Sequence, residues 1–155
     1  MKTLILYFSP TGQTEKAARE IHEATGGVME EIVPRHPYTD ADLDWENPES
    51  RTTREKNDPK IRPEFLPLAI KPDDYDMIFL GFPIWWGQEP NIIRSVLDKY
   101  KKELIEKQIY PFATSDETDI EMADIDFYNR YPDLNWHHGL RFPATKEKIR
   151  EWIAR

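Results

Sequence analysis

The 155-residue sequence contains no cysteine. That absence removes disulfides, zinc knuckles, thiolate nucleophiles and iron–sulfur ligation together, so any redox role rests on a borrowed cofactor. Cations are in short supply: 21 Lys and Arg against 29 Asp and Glu give a net charge of −8 and a pI of about 5.0. A nucleic-acid groove draws on clustered Lys and Arg, whereas the densest basic stretch here, "KYKKELIEK", is interleaved with acids. A protein that repels anionic surfaces is expected. Long apolar runs are missing too. None approaches the roughly 18 residues of a membrane helix, and the chain enters a strand without a signal-peptide pattern. No membrane contact and a cytoplasmic location are expected.

What is present fits a single domain over residues 1–155. "TLILYF" (Thr3 to Phe8) is a continuous apolar run of strand length, the pattern of a parallel strand covered on both faces. Ala17, Ala18, Ile21 and Ala24 then recur near helical spacing until Gly26 and Gly27 supply a stop. "VMEEIV" (Val28 to Val33) reads as a second, shorter strand, and its central glutamates place it near a sheet edge. From Pro34 to Asp74 the chain turns polar and poorly periodic and holds seven of its thirteen prolines. A short helix is expected around Pro48 to Lys56, within a long functional loop or cover.

"MIFLGF" (Met77 to Phe82) restarts the interior-strand pattern, and Ile92, Ile93, Val96, Leu97 and Tyr100 share one face of the helix that follows. "QIYPFATS" predicts a fourth strand, "DETDIEMADIDFYNRY" an acidic helix and "LNWHHGLRF" a short fifth strand. "TKEKIREWIAR" predicts a closing helix that buries Ile149, Trp152 and Ile153. Five strands alternating with helices predict an α/β fold, a three-layer α/β/α sandwich on a five-stranded parallel sheet. Its ligand crevice lies at the C-terminal strand ends, where the winding reverses.

The loop "SPTGQT" leaves the first strand at that edge. A turn from a parallel strand into a helix aims backbone N–H groups and the positive helix end at whatever sits above it. Ser9, Thr11 and Thr14 add hydroxyls, Gln13 an amide, and Gly12 lets the backbone approach closely. The set suits a phosphate monoester held by neutral donors; the nearest cation, Lys16, is already on the helix. It lacks the G-x-x-x-x-G-K-[ST] of a nucleotide-hydrolysing loop and the G-x-G-x-x-G of a dinucleotide fold. The same residues also suit a plain helix-capping turn. The loop after the third strand, "GFPIWWG", sets Trp85 and Trp86 side by side, and neighbours in a loop cannot easily both face the core. At least one indole is therefore expected to be exposed at the crevice, as a stacking surface for a flat conjugated ring; packing of both rings under the long excursion is the alternative.

Together these loops resemble the flavodoxin family, in its short, single-domain branch. "SPTGQT" matches the family's S-x-T-G-x-T loop, "GFPIWWG" resembles the branch's second loop, and "PFATS" the start of its third. The resemblance implies a strand order of 2-1-3-4-5 and non-covalent flavin mononucleotide (FMN). Its phosphate would lie on Ser9, Thr11, Gly12, Gln13 and Thr14, and its ring against Pro83, Ile84, Trp85, Trp86 and Gly87. The pyrimidine edge would meet the loop of Thr114, Ser115, Asp116 and Glu117. Gln13 replaces the usual Asn and still donates. Asp116 and Glu117 stand where the branch carries glycines, which restricts positive φ values and disfavours an anionic reduced ring.

The implied chemistry belongs to the cofactor, with no catalytic acid or base required. Electrons would go to a protein partner, or from NAD(P)H through the flavin to a quinone-like acceptor. The Pro34 to Asp74 segment, with Tyr38 and Trp45, would cover the ring, shape an acceptor pocket or form a homodimer contact. A flavodoxin-fold binding module without flavin is the alternative. No metal is expected: His137 and His138 are adjacent and face opposite ways in a strand, His22 and Glu23 do not make H-E-x-x-H, and the acidic run Asp116 to Asp126 lacks the spacing of a calcium loop. Ser9 and Pro10 stand where a response-regulator receiver needs acids, and a low-molecular-weight phosphatase needs a cysteine.

Overall fold

A computed structural model describes residues 1–155. The first apolar run forms β1 (Thr3–Tyr7), and Gly12, at φ 89, turns the chain into α1 (Gln13–Thr25), which ends on Gly26 at φ 70. β2 (Val28–Glu31) follows, then α2 (Arg51–Asn57) within the excursion, β3 (Met77–Pro83), α3 (Asn91–Leu104) and β4 (Gln108–Thr114). The chain ends with α4 (Glu121–Arg130), β5 (Asn135–Trp136), β6 (Leu140–Phe142) and α5 (Lys146–Ile153). The sheet is parallel throughout, in the order β2-β1-β3-β4-β5, with β6 also on β4. This is the expected three-layer sandwich, with β2 at an edge.

The fifth strand differs from expectation. It is broken into β5, beside the start of β4, and β6, beside its end. The cause is a contact from the preceding helix: the carboxylate of Asp124 accepts from Gly139 N–H at 2.9 Å, and a Cβ at Gly139 would lie 2.6 Å from Ile120 and 3.1 Å from the Pro111 carbonyl. His137 N–H still donates to the Ile109 carbonyl of β4 at 2.8 Å and its ring stacks on Tyr110, with centroids 4.0 Å apart, while His138 is exposed. The two histidines do not converge, and no cluster of metal-ligating side chains exists anywhere in the chain.

Apolar side chains on the two sheet faces form two cores. Leu4, Leu6, Ile78, Leu80 and Phe82 pack against α3 and α4, while Ile5, Tyr7, Phe79 and Phe112 pack against α1 and α5. α3 buries Ile92, Ile93, Val96 and Leu97, as its periodicity predicts, with Tyr100 half-buried. α5 buries Ile149 and Trp152, and Ile153 is only partly covered. The close approach of β3 to β4 requires Gly81, where a Cβ would fall 2.1 Å from the Phe112 ring.

The 34–74 excursion is tied down rather than loose. Asn91, at the start of α3, donates its side-chain amide to the carbonyls of Glu55, Asp58 and Ile61 at 2.9, 3.1 and 3.2 Å. Arg51 lies 3.7 Å from the centre of the Tyr38 ring and pairs with Glu55 at 3.1 Å. Tyr38 consequently turns inward, donating to Glu55 at 2.7 Å and packing edge-on to Phe8. It does not cover the crevice.

Candidate functional site

The first loop presents a row of unpartnered backbone donors. Backbone N–H groups of Thr11, Gly12, Gln13 and Thr14 make no hydrogen bond within the chain, as expected for the orphan donors at a helix start. Gly12 holds a left-handed turn there with open space where a side chain would begin. Thr11, Gly12 and Gln13 are exposed. The Ser9 hydroxyl accepts from Glu15 N–H at 2.9 Å, which helps cap α1 and leaves its own O–H free to donate. Ser9 thus takes part in capping the helix, while the amides of Thr11 to Thr14 stay without a partner in the chain. Thr14 is buried, and its hydroxyl meets that of Thr114 at 2.9 Å, which ties the first loop to the third.

A cavity of about 480 Å³ lies above that tie, within the range usual for ligand sites. Thr11, Gln13, Pro83, Thr114, Ser115 and Asp116 line it, so the structure gathers residues of all three predicted loops. Lys16 lines it as well. The sequence reading set Lys16 aside as helical, but the first turn of α1 faces the cavity; its place three residues past Gln13 was the available sign. Ser115 N–H donates to the Phe142 carbonyl at 3.2 Å and its hydroxyl accepts from Thr118 N–H at 3.0 Å, which closes the third loop without glycines. Asp116 and Glu117 are exposed to solvent.

The second loop is split between two surfaces. Trp85 and Gln88 exchange backbone hydrogen bonds at 3.0 and 3.1 Å, with Trp86 at φ 50 and Gly87 at φ 81 between them, the geometry of a type I′ turn. A tryptophan at positive φ is strained, and such strain concentrates at ligand loops. Pro83 lies on the first cavity, but Ile84, Trp85 and Trp86 line a second one of about 270 Å³, closed by Leu43, Trp45 and Thr52 of the excursion. Trp85 packs edge-on against Phe8 and Tyr38, both at 5.7 Å. Both indoles are half-buried, so neither sequence alternative describes them fully.

A sequence model described as flavodoxin matches residues 2–155. The chain belongs to the flavodoxin family. Among solved structures it is similar to a candidate flavoprotein from Bacteroides eggerthii DSM 20697 (41% identity, TM-score 0.94, covering 99% of this chain and 96% of that one). It is similar also to a candidate flavoprotein from Bacteroides uniformis ATCC 8492 (38%, 0.89, 99% and 98%). A flavoprotein from Lactobacillus acidophilus NCFM in complex with FMN shares 27% identity, with a TM-score of 0.79 and 98% of each chain covered. No curated protein matches.

Beneath the second loop, this flavodoxin buries a charged cluster that gave no sign in the sequence. Glu89 and Arg94 are almost fully buried and Asp126 largely so. Arg94 reaches Glu89 at 3.4 Å and Asp126 at 3.3 Å, and Arg130 reaches Asp126 at 2.7 Å. Burial, then the neighbouring Asp126, pushes the Glu89 carboxyl up to about 9, so it carries a proton at neutral pH. Its Oε1 finds no nitrogen or hydroxyl partner, and a shared proton donated to Asp126 answers that need. Asp126 is held below the usual carboxylate range: its burial is outweighed by the Glu89 hydrogen bond and the two guanidinium groups. On the same helix as Asp126, burial raises Asp124 to about 6 despite its bond from Gly139.

Proposed function

We propose that this flavodoxin binds FMN and serves as a redox protein, passing electrons to a protein partner or from NAD(P)H to a quinone-like acceptor. The observation that carries the reading is the row of four unpartnered N–H groups, from Thr11 to Thr14, beside a cavity that Thr11 and Gln13 line together with Pro83, Thr114 and Ser115. The FMN complex of the Lactobacillus acidophilus relative supports it. In this reading the Thr11, Gly12, Gln13 and Thr14 amides hold the phosphate, reinforced by the Thr11 hydroxyl and the positive end of α1. Lys16 adds a neutralising charge beside these donors.

When bound, the isoalloxazine supplies one- and two-electron chemistry. The chain's own contribution is placement. Pro83 walls one side of the ring, the second loop to Gly87 stiffens that wall, and Thr114, Ser115, Asp116 and Glu117 frame the pyrimidine edge. Solvent-facing carboxylates at Asp116 and Glu117 weigh against negative charge on the reduced ring, which lowers its potential. The absence of cysteine and of any helix long and apolar enough to cross a membrane fits action in the cytoplasm. Titrating the cofactor-free protein with FMN tests the reading. Quenching of flavin fluorescence at one equivalent, abolished by Gly12→Val, is expected; free flavin fluorescence throughout the titration refutes it.

A further inference from the structure

The second loop has a cavity on the face turned away from the first loop's donors, and the apolar half of that space continues into a charged one. Leu43, Trp45, Ile84, Trp85 and Trp86 form the apolar chamber of about 270 Å³. Thr52, Trp85 and Trp86 also line a second chamber of about 130 Å³, the volume of about four waters, whose far wall carries Lys56, Arg94, Arg130, Glu55 and Glu89. The charges of that wall do not cancel. Glu89 shares its proton with Asp126, and Glu55 is engaged by Arg51 and by the Tyr38 hydroxyl at 2.7 Å. Lys56 has no carboxylate partner; its ammonium sits 5.2 Å from the centre of the Trp86 ring. Trp45 is two-thirds exposed at the apolar mouth.

We propose that these joined chambers form a binding site for a small aromatic molecule bearing one anionic group, its ring between Trp45 and Trp86 and its carboxylate or sulfonate toward Lys56. Aromatic walls reward a flat ring by stacking beyond the area they bury. An unpaired, exposed ammonium at the rim of the charged chamber favours a negative charge, and in a chain of net charge −8 this local reversal of sign steers such a ligand toward it. The inference goes beyond the FMN reading: with the ring against Pro83, the second loop lies between cofactor and ligand. Its binding test does not depend on flavin.

The probe is 2-naphthoate, with uncharged 2-naphthamide as its control, titrated by calorimetry and by tryptophan fluorescence into the full chain with and without saturating FMN. Naphthoate is expected to bind at least tenfold more tightly than the amide, a difference of about 1.4 kcal/mol. Lys56→Gln should remove that preference and leave amide binding unchanged, and Trp45→Ala should weaken both, while FMN affinity stays the same in each variant. Equal binding of the two probes, or a preference that survives Lys56→Gln, overturns the proposal. So does displacement of naphthoate by FMN, which would make the chamber the cofactor's own. Naphthoate binding with the expected charge preference in a protein that fails to bind FMN would sink the cofactor reading alone.

Discussion

Replacing Glu89 with Gln should make the protein progressively more stable than the wild type as pH rises. Glu89 is raised from 4.5 in the unfolded chain to about 9 in the fold. Between those values the folded state holds a proton that the unfolded state has lost, so stability is full below about pH 4.5 and falls as pH climbs, at close to 1.36 kcal/mol per unit. From pH 6 to pH 8 the wild type should lose about 2.7 kcal/mol through this one group. Gln keeps the shape, can donate its amide to Asp126 and accept from Arg94, and does not titrate. Asp126, lowered from 3.8, is ionised in both states over this window and cancels in the comparison. Asp124 and the histidines are common to both proteins. The assay is urea denaturation of wild type and E89Q at pH 6, 7 and 8; with a slope of about 2 kcal/mol per molar urea, the midpoint difference should widen by about 1.3 M. A gap that stays constant with pH would show that Glu89 is ionised in the fold and that the proton assignment is wrong.

Gly81→Ala should destabilise the fold by about 3 kcal/mol, because its methyl would enter the Phe112 ring, and Phe112→Leu in the same chain should recover part of the loss in thermal or urea unfolding. Thr14→Val breaks the hydroxyl pair with Thr114 and should cost about 1 kcal/mol of stability; its FMN affinity should fall as well, and an unchanged affinity would separate the tie from the site. Lys16→Ala should weaken FMN about threefold at low salt, with the difference closing as salt rises, and a salt-independent loss would point to packing instead.

The continuous apolar runs at Thr3–Tyr7 and Met77–Pro83 were readable because a strand covered on both faces has no polar alternation to confuse. The row of donors was readable for a similar reason: its members are consecutive residues. Features made by distant contacts were not. Nothing local announces that Asn91 will collect three carbonyls from residues at least 30 positions earlier, so the excursion reads as irregular while being fixed. The break between β5 and β6 depends on Asp124, one helix away. The sequence singles out Trp85 and Trp86, but their direction follows from two successive positive φ values, and only the glycine hints at one of them. Lys16 and the Glu89 cluster belong to the same class, since charge on a helix or in a loop does not reveal which wall it faces.

The divided outer strand has a consequence for how copies of this chain can meet. Two pieces of two and three residues, separated by His137, His138 and Gly139, offer a visiting strand no continuous row of N–H and C=O groups to zip onto. At the opposite border, β2 is four residues long and carries Glu30 and Glu31, which would face like charge in a neighbour. Association by extending the sheet from one molecule to the next is thereby discouraged at both borders, and a crowded solution of this protein should stay free of ribbon-like aggregates.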